Sequence, residues 1–183
     1  MAEIVIRKTG EKIQDEERVK DFLARQGVLY ERWDAGKLPA GLREKYNVSE
    51  EEKEEILHAF DQEIRSLAER NGYVKWDVIS LSEATPNLEE LLKKFEQIHT
   101  HSDDEVRAIV SGNGTFTIKG TSEIGYFNAV LQAGDVISVP KNTPHFFTLL
   151  ENRKVVAIRL FIDQSGWIAH PYEDPEFQVT ESK

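Results

Sequence analysis

The chain has 183 residues, a formal net charge of −10 and no cysteine. That length suits one domain with a sizeable core, and the negative charge opposes binding to nucleic acid or an anionic membrane, because phosphate recognition needs a basic stripe. The lack of cysteine excludes disulfide frameworks, thiolate metal sites and a cysteine nucleophile together, so any metal must be held by nitrogen and oxygen.

The amino terminus, MAEIVIRKTGEK, has no apolar run followed by a cleavage site, and no window approaches the roughly 18 apolar residues of a membrane span. A cytoplasmic protein is expected. The first half is mostly helical in pattern. In DEERVKDFLARQG, Val19, Phe22 and Leu23 share one helical face and Gly27 sits where the helix would stop. Ser49 and Glu52 have capping-box spacing, and Ile56, Leu57, Phe60, Ile64 and Leu67 then share a face, which predicts one helix up to Asn71 and Gly72. YVKWDVISL changes to alternation, with Val74, Trp76 and Val78 on one side of a strand. Thr85 and Pro86 start a further helix with Leu88, Leu91, Leu92 and Phe95 on its buried face.

After residue 97 the rhythm changes. Short apolar runs are broken by SGNG, KGTSEIG, QAGD, PKNTP and ENRK, the punctuation of an antiparallel sandwich or barrel. The organisation expected is a single domain over 1–183: a helical part over about 1–96, a barrel over about 97–170, and a polar tail over about 176–183.

One stretch carries chemistry. Two of the five histidines, His99 and His101, are one residue apart in HTHSDDEVR, and Glu105 follows. Strand alternation points both imidazoles the same way, and a bend through Ser102 and Asp104 can return Glu105 beside them. Taken alone, this is either a solvated polar turn or half of a site for a divalent first-row metal. Glu105, Arg107 and Ile109 share a strand face opposite Val106, Ala108 and Val110. Arg159 interrupts VVAIRLFI, a run otherwise apolar on both faces, so its charge must be paired or reach a polar cavity. Further on, Gly134, Pro140 and His145 are spaced in GDVISVPKNTPH, and Phe147 shares a strand face with His145.

HxHxxxE followed by Gly112, then Gly134, Pro140 and His145, resembles the two motifs of the cupin superfamily, small antiparallel β-barrels that hold a metal. Two departures are visible: Asn142 where glycine is usual, mild because Asn tolerates the left-handed conformation, and Leu149 where asparagine is frequent. Over nearly its whole length, from the helical first half through HTHSDDEVR and PHFF to RLFIDQSGWIA, the chain is similar to the acireductone dioxygenases. The resemblance implies a mainly β, cupin-type jelly-roll barrel with packed helices, and His99, His101, Glu105 and His145 as four ligands to one metal. It implies Fe2+ or Ni2+, one per chain, with Co2+ or Mn2+ also accommodated.

Four ligands leave two octahedral positions for a chelating substrate, and three neutral imidazoles with one carboxylate leave net positive charge for an enediolate. Arg107 and Arg159 are the candidate catalytic cations, Arg107 either meeting substrate oxygens or holding the Glu105 carboxylate. Phe95, Phe147 and Trp167 correspond to an apolar wall for a methylthio side chain. The implied reaction is cleavage of 1,2-dihydroxy-3-keto-5-methylthiopentene by O2, with products set by the metal, in a cytoplasmic monomer with no nucleic-acid or membrane partner. Another single-metal cupin enzyme, or a cupin binding module, is the alternative. His58 is expected at the surface, and His170 has no assigned role.

Overall fold

The computed structural model describes residues 2–162 and 168–174. In chain order the first half holds β1 (Glu3–Ile6), β2 (Lys12–Ile13), α1 (Glu16–Arg25), β3 (Leu29–Arg32), α2 (Glu50–Ala59), α3 (Asp61–Asn71), β4 (Lys75–Leu81) and α4 (Leu88–Glu96). The second half holds β5 (His99–Thr100), β6 (Glu105–Lys119), β7 (Tyr126–Gln132), β8 (Asp135–Val139), β9 (His145–Thr148), β10 (Val155–Phe161) and β11 (His170–Pro171). No helix among the described residues is long and apolar enough to cross a membrane.

The strands pair antiparallel into two sheets that share β6. One runs β4-β10-β6-β8-β3 and the other β11-β5-β9-β6-β7-β1-β2. SGNG, expected as a break between strands, instead lies inside the 15-residue β6. There the pairing with β10 shifts register between Val156 and Ala157, and Gly112 takes φ 77°. The bulge bends the strand so that its first half serves one sheet and its second half the other. A Cβ at Gly112 would lie 2.2 Å from the Lys154 carbonyl oxygen, so both conformation and space require glycine.

Alternation on β6 sorts the core into two. Val106, Ala108 and Val110 point outward and are covered by α2 and α3 through Ile56, Phe60, Ile64 and Leu67. Ile109, Phe116 and Ile118 point inward with Phe127, Leu131, Ile137 and Ala157, and α1 closes this interior through Phe22 and Leu23. Asp15 caps α1 by accepting from the Arg18 amide, and the Ser49–Glu52 capping box opens α2 as its spacing predicts.

Four further expectations are corrected. The first half is not simply helical outside the expected β4: β1 pairs with β7 and with β2, and β3 with β8, because strands of two to four residues are specified by the sheet edges they meet rather than by their own periodicity. The single helix expected over 49–72 is two; the buried Phe60 stacks on Trp33, has φ −108° and ψ 15°, and the helix restarts at Asp61. Val74 is 63% exposed and precedes β4, while Tyr73 turns inward after the left-handed Gly72. α4 begins at Leu88 rather than Thr85, because Ser82 and Thr85 bond each other in a turn and Asn87 is left-handed at φ 58°.

Candidate metal centre

His99 sits on β5, His101 just beyond it, Glu105 at the start of β6 and His145 at the start of β9. His99 pairs directly with His145 across the β5–β9 ladder, and Ile118 of β6 pairs with His145. The loop between His101 and Glu105 is fastened to the PKNTP turn: the Lys141 amide donates to Asp104 at 2.9 Å, and the Asn142 amide donates to the His101 carbonyl at 2.8 Å. Asn142 takes φ 61°, the left-handed conformation that glycine would otherwise supply. These ties bring one ligand atom from each of His99, His101, Glu105 and His145 within 4.8 Å of one another, all four residues buried.

The hydrogen bonds decide which nitrogens face inward. His99 Nδ1 donates to the Gln97 carbonyl at 2.6 Å, His145 Nδ1 to the Thr143 carbonyl at 2.7 Å and His101 Nδ1 to the Ile168 carbonyl at 3.2 Å. A carbonyl oxygen only accepts, so each Nδ1 carries the proton and each Nε2 presents a lone pair. Nε2 of His145 and of His101 point at the same Glu105 oxygen, the latter at 3.4 Å. Lone pairs aimed at an anionic oxygen repel, so the arrangement fits a cation bound among them. Burial, with the neighbouring His145, lowers the His99 pKa to about 4 and keeps that ring neutral. Burial pushes the Glu105 carboxyl up, but the Arg107 guanidinium beside it outweighs this and holds the group well below the usual carboxylate range. Three imidazole nitrogens and one carboxylate suit a divalent first-row ion.

A cavity of about 220 Å³ opens beside the cluster, lined also by Lys94, Phe95, Arg107 and Arg159. Arg107 Nη2 lies 2.7 Å from Glu105 Oε1, so its guanidinium holds the carboxylate. Arg159 also reaches the cavity, but Nε and Nη2 grip Asp77 of β4 at 2.8 and 2.7 Å, a pairing set by the β10–β4 register. Adjoining it, and sharing Phe95 and Arg107 with it, is a smaller space of about 20 Å³ with an otherwise apolar wall of Ile79, Leu81, Ile109, Phe147, Val155 and Ala157. Phe147 packs on Phe116 with ring centroids 4.9 Å apart, and a Cβ at Gly114 would lie 2.2 Å from its ring tip. Trp167 lies outside the described residues, as does the tail expected over 176–183. His58 is exposed on α2, away from the cluster. His170 is exposed on β11, where it pairs with Thr100. Sequence reasoning missed Asp77, Gly114 and the Ile168 carbonyl, all brought to the site by pairings distant in the chain.

A small antiparallel barrel with three inward imidazoles and a carboxylate gathered between its strands defines a cupin-type metal protein. The ARD/ARD′ family model matches residues 4–169. An acireductone dioxygenase of Geobacillus thermodenitrificans is 62% identical over 176 residues, covering 96% of this chain and 98% of that protein. That of Geobacillus kaustophilus is 61% identical, covering 98% and 99%. The solved structure of an acireductone dioxygenase from Bacillus anthracis with a cadmium ion in its active centre is 49% identical, with TM-score 0.89, covering 92% of this chain and 97% of that one. The chain belongs to the ARD/ARD′ family, the acireductone dioxygenases.

Proposed function

We propose that the chain cleaves 1,2-dihydroxy-3-keto-5-methylthiopentene with O2 in methionine salvage, working as a cytoplasmic, single-domain monomer with one Fe2+ or Ni2+ held by His99, His101, Glu105 and His145. With Fe2+ the products are 4-methylthio-2-oxobutanoate and formate; with Ni2+ they are 3-(methylthio)propanoate, formate and CO. Each set balances against one substrate and one O2. The observation that carries the reading is the buried ligand cluster beside a cavity that adjoins a smaller apolar space at Phe95. A cadmium ion in the active centre of the Bacillus anthracis relative supports a divalent ion at the matching place here.

When bound, the ion supplies a template for the substrate's oxygens and stabilises their negative charge. The protein does the rest. Phe95 and Phe147 take the methylthio chain and exclude water, with Trp167 assigned to the same wall. Arg107 keeps Glu105 ionised and aimed inward, and Arg159, steadied by Asp77, faces the anionic part of the substrate. An isomerase of a polar sugar would need polar groups along the adjoining wall, which Phe95, Phe147 and their neighbours make apolar.

The test is product analysis. Protein stripped of metal and reloaded separately with Fe2+ or Ni2+ is given the substrate and O2; formate is expected with both ions and CO only with nickel. Identical products would remove the metal dependence, and no O2-dependent loss of substrate would reject the reaction.

A further inference from the structure

The three inward imidazoles are not held alike. His99 and His145 each donate to a carbonyl two residues earlier in their own segment, Gln97 and Thr143. These rings are oriented as soon as their strands form. His101 instead donates to Ile168, 67 residues away. The Ile168 side chain is 57% exposed, so what it brings to the site is its backbone carbonyl.

Residues 168–174 form a strap laid across β5. His170 pairs with Thr100 and Pro171 with His99, and the Tyr172 amide donates to the Ile98 carbonyl at 3.0 Å. Two ladder pairs are a weak attachment on their own. The strap's far end is anchored differently: Asp174 Oδ2 accepts from Lys119 Nζ at 2.8 Å and from the Tyr126 hydroxyl at 2.8 Å. The Asp174 side chain is only 3% exposed, and Lys119 and Tyr126 are directly paired where β6 meets β7. The Lys119 ammonium also lies 5.7 Å from the Tyr172 ring centroid. A buried carboxylate held by a cation and a hydroxyl is costly to undock, because its charge would lose both partners.

We propose that Asp174 is a positioning residue of the metal centre: by anchoring the 168–174 strap to Lys119 and Tyr126, it holds the Ile168 carbonyl against His101 Nδ1 and thereby sets that imidazole as a metal ligand. The inference rests on His99, His101, Glu105 and His145 binding the ion. Strap docking and metal binding are then linked, and linkage is reciprocal: loosening the strap weakens the metal, and removing the metal loosens the strap.

The test loads the full-length protein with Co2+ and follows two readouts: release of the ion into excess chelator, and hydrogen exchange of the Tyr172 amide with and without metal. Asp174→Ala is expected to speed release by about tenfold or more, the range in which loss of a partner to a metal-bound histidine falls, while Asp174→Glu restores most of the wild-type rate. Tyr126→Phe, which removes one donor and keeps the ring, gives a graded case of about threefold should the alanine variant fail to fold. Asp15→Ala, which uncaps the distant α1, controls for general destabilisation and leaves release within about twofold of wild type. Metal removal is expected to accelerate Tyr172 exchange in the wild type. Release unchanged in Asp174→Ala or Tyr126→Phe, or accelerated equally by Asp15→Ala, overturns the inference while the metal centre stands. A wild-type protein that retains no Co2+ overturns the metal centre, and this inference with it.

Discussion

Gly114→Ala places a single methyl group where the structure gives it a definite consequence. Gly114 is not among the residues with positive φ, so alanine meets no conformational penalty there and by itself stabilises by about 0.4–1 kcal/mol through the unfolded chain. Its Cβ, however, would stand 2.2 Å from Cζ and 2.6 Å from Cε1 of Phe147. Carbon atoms pack at about 3.5–4.0 Å, so the ring must retreat by roughly 1.3–1.8 Å. It cannot retreat freely, because it packs on Phe116 and lines the smaller apolar space with Phe95 and Val155. Overpacking of this kind costs about 1–3 kcal/mol, which exceeds the entropic gain and leaves a net loss of about 1 kcal/mol.

Thermal unfolding should therefore show a fall of about 2–4 °C for Gly114→Ala. In O2-uptake kinetics kcat/KM for the acireductone should drop while metal content stays at wild type, because the displaced ring takes space from the substrate chain. The sign should reverse in a Phe147→Ala background, where the methyl group meets no ring and the substitution stabilises by about 0.5 kcal/mol. Equal effects of Gly114→Ala in both backgrounds would refute the reasoning, since nothing would then connect the glycine to the ring.

Arg107→Met should lower metal affinity by about 10–100-fold in equilibrium dialysis, because the guanidinium on Glu105 is lost; unchanged affinity with a raised KM would make Arg107 a substrate contact instead. Arg159→Met should leave metal content intact and raise KM, its partner Asp77 being 42% exposed and able to rehydrate; metal loss would contradict this. Gly112→Ala should destabilise by roughly 2–4 kcal/mol in denaturant titration, combining a left-handed residue with a collision against the Lys154 carbonyl, and an unmoved midpoint would contradict the bulge. The Glu52 carboxyl is lowered from 4.5 to about 2 by Lys45 and the Ser49 amide, so its charged form stabilises above pH 4.5 and that contribution is lost as pH falls towards 2. The urea-midpoint gap between wild type and Glu52→Gln should accordingly be widest at neutral pH and close between those limits.

Part of the ligand set had a local signal, His99 and His101 one residue apart with Glu105 following, which alone left a solvated turn open. His145, 40 residues beyond Glu105, joined it only through the resemblance to the cupin motifs carried by Gly112, Gly134 and Pro140. The capping box at Ser49 was legible because its signal is local. What was not legible depends on register between distant segments. Arg159 visibly needed a partner, but only the β10–β4 ladder reveals Asp77, 82 residues away. SGNG has the composition of a turn, and only the partners on both sides of β6 turn it into a corner within one strand. The short strands β1 and β3 carry too few residues to show alternation and take their conformation from β7 and β8.

The measurement that bears most directly on the account is metal content and O2 uptake on the same samples of wild type, His145→Ala and Glu105→Ala. The four-ligand centre predicts about one Fe2+ or Ni2+ per wild-type chain after reloading, a small fraction of that in either variant, and acireductone-dependent O2 uptake falling in proportion. Stoichiometric metal with full O2 uptake in both variants would contradict it.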